Sequence, residues 1–254
     1  LMAVLPFLYM VSLSLQSDAE MFSGQVVVIP EVLQFTNYVT IWEKAPFARF
    51  VLNSLIVAGT ISVLHVLFDP LIGYVFAKME FPGKRFMFVA LLATLMIPFF
   101  VRLIPLYVMV ARFGLINTYP GLILPFAMSA FGIFLMRQFF LALPRELEEA
   151  GEIDGLTTFG VFRRIVLPLA KPALATLAVF TLLNSWNDLI WPLTAITNQD
   201  NFTIQVGLTT FQGTRRTQWA ELMAGNVVAT MPLIVGFLMA QRQFVATMTF
   251  SGLK

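Results

Sequence analysis

Of 254 residues, 58% are hydrophobic without counting glycine and only 12% are charged, against about 45–50% apolar and about 25% charged in soluble domains. A soluble fold of this length has too little interior for that surface, so a soluble enzyme, a nucleic-acid binder and a disordered chain are excluded and the excess faces lipid. Sixteen basic against fourteen acidic residues leave +2, scattered over short loops, and the absence of cysteine excludes disulfides, thiol catalysis and cysteine-held metal.

A bilayer core takes roughly 20 apolar residues per helix. In chain order, apolar spans fall at about 1–17, 50–77, 86–111, 119–141, 171–195 and 222–243. The first starts without an initiator Met or a basic flank, and is expected to be a span missing its N-terminal end instead of a signal peptide. The second is interrupted by His65 and Asp69, the third by Arg102. Helices are the choice that satisfies the backbone in lipid, since barrel strands would alternate in polarity. The expected fold is therefore an all-α integral membrane protein, residues 1–254 forming one transmembrane domain.

Six spans put both termini on one side. Ten cationic side chains, among them Lys78, Lys84, Arg85, Arg137, Arg163 and Arg164, lie in one set of connections, and six, among them Lys44, Arg49, Arg215 and Arg216, in the other. The positive-inside rule then places the first set and both termini in the cytoplasm. The polar connection 16–49 and the connection 198–221 are expected outside, with 201–208 as a short extended segment. The connection 137–171 is cytoplasmic and holds the densest charge.

Within it, residues 143–168 read as two short helices around a turn. Pro144 suits a helix start, Glu146, Glu148 and Glu149 lie near that helix's positive end, and Leu147, Ala150 and Ile153 recur at helical spacing as a small apolar face. Asp154-Gly155 ends the helix, with glycine free to take positive φ. Phe159, Phe162 and Ile165 form the apolar face of the second helix. A short helix with one apolar and one acidic face is built to dock a protein.

The series Glu149-Ala150-Gly151-x-x-Asp154-Gly155, nine residues, then Ile165-x-Leu167-Pro168 resembles the EAA loop of binding-protein-dependent ABC importer permeases. Gly151 departs from the usual second Ala, and a mid-helix glycine costs roughly 0.5–1 kcal/mol against Ala, which loosens the helix. Residues 114–125 (Gly-Leu-Ile-Asn-Thr-Tyr-Pro-Gly-Leu-Ile-Leu-Pro), 134–140 (Phe-Leu-Met-Arg-Gln-Phe-Phe) and 185–193 (Ser-Trp-Asn-Asp-Leu-Ile-Trp-Pro-Leu) are similar to the carbohydrate branch, the maltose-type second permease. The resemblance implies a six-helix type I ABC importer transmembrane domain in a bacterial or archaeal cytoplasmic membrane. It implies a heterodimer with a sister permease, two cytoplasmic ATPase subunits that bind ATP and Mg, and an extracytoplasmic solute-binding protein. It makes Glu149, Ala150, Gly151, Asp154 and Gly155 the ATPase-coupling residues. The cargo would be a sugar or sugar-like solute moved by alternating access. The chain itself would be no enzyme and hold no cofactor, and no G-x-x-x-x-G-K-[ST] phosphate loop occurs in it.

Sugars are recognised by flat apolar faces and by paired donors and acceptors. Asn184, Trp186, Asn187 and Asp188 supply both, and are the candidate substrate path together with Arg102. Trp186 and Trp191 also fit an interfacial aromatic belt, and Arg102 also fits a side chain that snorkels to the interface. His65 and Asp69, four residues apart on one helix face, leave two readings: a structural pair that binds neighbouring helix ends, or a proton relay in an ion-coupled secondary transporter.

Overall fold

A computed structural model describes residues 2–24, 27–213 and 217–251, with backbone alone for residues 3, 237 and 239–251. Arg215 and Arg216 lie outside the described residues. The described residues are all-α; the single extended pairing among them is an isolated bridge between Gln212 and Thr217.

Prolines and polar residues decide where the apolar stretches stay straight. Helix α3, Phe47–Lys78, follows α1, Leu5–Ser14, and α2, Thr36–Lys44, and runs 32 residues, with an 18-residue stretch at a mean hydropathy of 2.0. It contains Pro70, whose missing N–H is tolerated in lipid when neighbouring side chains serve the freed carbonyl. The apolar stretch after it breaks. Helices α4, Lys84–Ala93, and α5, Phe99–Arg112, belong to two arms bent by 102°. The break falls at Ile97, which is extended before Pro98, because a residue preceding proline is pushed out of the helical region. Helix α6, Tyr119–Ile123, leads into a second break of 42° before α7, Ala130–Leu141. Helix α8, Glu146–Ile153, carries the acidic sequence, and α9, Lys171–Trp186, follows a 76° bend. Helices α10, Ile190–Ala195, and α11, Ile204–Thr209, are short, and α12, Trp219–Ser251, closes the chain.

The chain divides into two compact units. The first comprises Leu1–Ile56 and Trp186–Gly236. Its aromatic core is Phe47, Phe50 and Phe211, with Trp186, Trp191 and Ile204 also buried. The polar connection after α1 folds back onto it: the Asn37 amide donates to the carbonyls of Ser14 and Gln16, both at 3.0 Å, and the Ser14 and Tyr38 hydroxyls meet at 2.7 Å. Of residues 201–208, expected to be extended, only the link at Phe202 and Thr203 is so; Asn201 ends a 3-10 turn and α11 begins at Ile204. The alternation of Phe202, Ile204, Val206 and Leu208 looks like a strand. Ile204, Val206, Gly207 and Leu208 are all buried, so both faces are covered and the period carries no strand. Gly207 lies so close to the Phe50 ring that a Cβ would overlap it. The Asn53 amide donates to the carbonyls of Asp200 and Phe202 at 2.9 and 2.8 Å, and the Ile204 N–H donates to Ser54 Oγ at 2.8 Å.

The second unit comprises Val57–Ser185 and Phe237–Lys254. Tyr74, Met136, Phe140, Val161, Phe162 and Leu177 are among its buried core. Lipid is as apolar as these side chains, so helix association rests on close packing and polar contacts more than on hydrophobic transfer. Gly73 provides the close approach: a Cβ there would come within 3.0 Å of the Arg137 backbone nitrogen and of Met136 Cβ. Outward-facing Leu67, Phe86, Phe100, Val101 and Ile104 remain exposed, as a lipid-facing surface requires.

Candidate coupling segment and translocation path

Helix α8 begins after Pro144 and places Glu146, Glu148 and Glu149 in its first turn, where carboxylates meet the partial positive charge of the free N–H groups. Asp154 forms the C-cap, the Leu156 N–H bonds the Gly151 carbonyl at 3.0 Å, and Gly155 sits at φ +79°. That left-handed turn is the one the Asp-Gly pair anticipated.

The small apolar face of α8 is its exposed one. Leu147, Ala150 and Ile153 point to solvent, and Ile153 is 87% exposed. Glu148 and Gly151 face inward. The buried side of this helix is narrow and rests on a charge and a glycine. Gly151 is buried, and a Cβ there would come within 2.6 Å of Ile165 Cδ1 and 3.1 Å of Val161 Cγ2. The glycine that seemed to loosen the helix is the contact that lets the next segment lie against it. In that segment Phe162 is buried and Ile165 partly so, but Phe159 is 61% exposed. Residues Phe162–Val166 form one π-helical turn, a geometry that shifts side-chain register within a helix and recurs at functional positions.

Glu148 was missed as a residue of special role. Its Oε1 lies 2.6 Å from Lys78 Nζ, and its Oε2 accepts from the Tyr74 hydroxyl at 3.2 Å. The signal in the sequence was the pair Tyr74 and Lys78, four residues apart at the end of a membrane helix.

Of the candidate path residues, Asn187 and Asp188 lie where the helix unwinds between Trp186 and Ile190. Asn187 is exposed and its Oδ1 accepts from Gln205 Nε2 at 3.3 Å. Asp188 is half-buried, and its carboxylate faces the Trp191 N–H at 3.4 Å, at the head of α10. Asn184 is exposed on α9 in the second unit. Trp186 corrects the stacking expectation: it is 2% exposed and its Nε1 donates to the Ala229 carbonyl at 3.0 Å. An indole sealed on both faces and bonded at its polar edge is an anchor of the first unit, not an open platform; Trp191 is likewise buried. Arg102 is exposed and borders an open cavity of about 930 Å³ with Thr94, Phe99, Phe126 and Ser129. Residues flanking two helix breaks of the second unit, Leu95 and Phe99 at one and Met128 and Ser129 at the other, border that space, and among the described residues no carboxylate pairs with Arg102.

His65 and Asp69 are buried and satisfied. His65 Nδ1 lies 2.7 Å from Asp69 Oδ2, and Nε2 lies 2.8 Å from the Phe126 carbonyl. A carbonyl only accepts, so Nε2 carries its hydrogen, and the short Nδ1–Oδ2 contact holds one further proton between ring and carboxyl. Asp69 Oδ1 accepts from the Ser129 N–H at 3.2 Å, at the start of α7. The pair thus holds both sides of the break, a carbonyl before it and an N–H after it. Gly132 sits against the carboxylate so closely that a Cβ would overlap it.

Apolar helices interrupted by bends, polar residues at the interruptions and a surface-presented acidic helix suit a transport subunit. The sequence pattern of the family "Binding-protein-dependent transport system inner membrane component" matches residues 70–249, and the chain belongs to this family, the permeases of ABC importers. It is 36% identical over 255 residues to the arabinooligosaccharides transport system permease protein AraQ of Halalkalibacterium halodurans, covering 99% of this chain and 91% of that one. It is 32% identical to the diacetylchitobiose uptake system permease protein NgcG of Streptomyces coelicolor, over 97% of this chain and 82% of that one. It is 37% identical to the sn-glycerol-3-phosphate transport system permease protein UgpE of Salmonella typhi, over 90% and 84%. The fold matches a chain in the crystal structure of a bacterial ABC transporter involved in the import of the acidic polysaccharide alginate, with a TM-score of 0.81, 25% identity and coverage of 95% and 91%. The ion-coupled reading of His65 and Asp69 finds no support in these relatives.

Proposed function

We propose that this chain is one permease subunit of an importer for a sugar or sugar-like solute, paired with a sister permease in a heterodimer. Two cytoplasmic ATPase subunits bind ATP and Mg, and an extracytoplasmic binding protein delivers the cargo. The chain crosses the cytoplasmic membrane at the six spans given above, with both termini inside, and residues 143–170 are the coupling loop. ATP-driven closure of the ATPases moves α8, and the cavity opens alternately outward and inward.

The observation that carries the docking role is the exposed face of α8. Leu147 and Ile153 stand in solvent beside Glu149, and apolar side chains alternating with carboxylates on a braced surface helix suit a protein partner. Glu149, Ala150, Gly151, Asp154 and Gly155 act as the coupling residues, Gly151 and Gly155 by fixing the path of the chain. For the cargo, the unwound stretch 187–189 supports a polar wall from Asn187 and Asp188. Broken membrane helices are tolerated where their backbone lines a water-filled space. Trp186 serves that wall as its buried anchor. Arg102 offers a cation to polar or anionic groups of the solute. The exposed Thr210 and Gln212 face the binding protein, from a loop that is mostly packed and only locally open.

The test is reconstitution of the complex in liposomes with its binding protein, followed by uptake of arabinooligosaccharide, diacetylchitobiose and glycerol 3-phosphate. Uptake of one class that needs both ATP and the binding protein is expected. Uptake that persists without ATP, or that follows an imposed ion gradient, would overturn the proposal.

A further inference from the structure

Helix α8 has eight residues, and isolated helices below about 12 residues are marginal in water. Such a helix cannot transmit force by its own stiffness; it must be fastened. The fastening in this chain is specific. Lys78 Nζ lies 2.6 Å from Glu148 Oε1 and donates to the Leu143 carbonyl at 3.0 Å, and the Tyr74 hydroxyl donates to Glu148 Oε2. The Lys78 side chain is 7% exposed and that of Glu148 15%, so water screens the pair far less than a surface ion pair. The Tyr74 ring is itself fixed, 5.0 Å from the Phe162 ring and 5.9 Å from that of Phe140. Both oxygens of one carboxylate on α8 are therefore held by the last turns of α3, and the same lysine clamps the carbonyl that leads into α8.

We propose that Lys78 and Tyr74 are positioning residues that latch α8 to α3 through Glu148, so that displacement of the coupling helix is delivered to the membrane helix instead of being absorbed in the flanking turns. The latch stays closed through the cycle, and α8 and the end of α3 move as one body. This rests on the coupling role proposed above.

The test uses the full complex in liposomes and reads solute imported per ATP hydrolysed. Lys78→Met should lower that ratio several-fold while hydrolysis continues, Lys78→Arg should retain it, and Tyr74→Phe should lower it less. A wild-type ratio in Lys78→Met overturns the latch. Glu149→Lys, on the exposed face, separates the two ideas: if it uncouples and Lys78→Met does not, the latch alone fails; if neither uncouples, the coupling role of α8 fails with it. Should Lys78→Met not assemble, the absence of native cysteine allows a second measurement on Lys78→Cys/Glu148→Cys. A short bis-maleimide should raise its ratio toward wild type, and a ratio unchanged or lowered by the crosslink refutes a latch that stays closed.

Discussion

Replacing His65 by leucine tests whether the buried pair braces the break in front of α7. The substitution leaves Asp69, which is fully buried, with the Ser129 N–H at 3.2 Å as its chief remaining strong donor, and removes the imidazole's hydrogen bond to the Phe126 carbonyl. The one hydrogen bond to another helical segment that is lost, from His65 Nε2 to the Phe126 carbonyl, would account for only about 0.6 kcal/mol on average and about 1.7 kcal/mol at most. A buried charge stripped of its partner costs about 3–5 kcal/mol, and that is the larger effect here because no other cation reaches the carboxylate among the described ion pairs. Replacing both partners, as His65→Leu/Asp69→Leu, removes the charge as well and should return to within about 1–2 kcal/mol of wild type. Thermal denaturation of the assembled complex in detergent is the assay, at about 2–4 °C per kcal/mol for a chain of this size. A single variant as stable as wild type would refute the brace, as would a double variant no more stable than the single one.

Four further outcomes are expected. Gly155→Val places a β-branched residue at φ +79°, and should cost about 1–2 kcal/mol locally and reduce solute imported per ATP, read in proteoliposomes. Gly132→Ala drives a methyl into the Asp69 carboxylate and should lower the yield of assembled complex, whereas Gly83→Ala, with open space around it, should assemble despite its strained φ; equal yields of Gly132→Ala and wild type would contradict the packing. Asn187→Ala and Asp188→Ala should each weaken uptake, by about 0.5–1.5 kcal/mol per lost hydrogen bond, and wild-type uptake kinetics in both would make them scaffold. A cysteine at Leu156 should resist an impermeant thiol reagent in intact cells while one at Gln212 reacts, and the opposite pattern would invert the topology.

Much of the architecture was legible because lipid imposes a coarse rule: apolar length forces helices, and the spaced Glu149–Pro168 series fixes the family. Breaks were harder. Hydropathy averages across Ile97-Pro98 and residues 127–129, and a kink costs nothing in composition even though Pro98 and Pro125 mark both places. The apolar face of α8 was legible, but no local pattern marked its inward side, where a carboxylate with two donors goes in while Ile153 goes out. For 201–208 the alternation of apolar residues reflected burial on both faces of a short helix. Trp186 shows the same ambiguity, since an indole serves equally as a platform or as an anchor until its Nε1 partner is known. The Glu148 contacts cross some seventy residues of sequence, a separation that no local pattern bridges.

The geometry at His65 has a consequence for biogenesis. The helix carrying His65 and Asp69 leaves the ribosome well before Phe126 and Ser129, which follow Asp69 and His65 by 60 residues or more. At 5–20 residues per second this is an interval of roughly 3–12 s. Two ionisable groups must sit in or near the translocon for that time without the groups that later complete their hydrogen bonding. Their spacing of four residues resolves the difficulty: the imidazole and the carboxyl meet on one helix face at 2.7 Å and travel as a self-compensated dipole. Placed on separate helices, the same two groups would each have to enter the bilayer alone, and insertion of the second span would wait on the fourth.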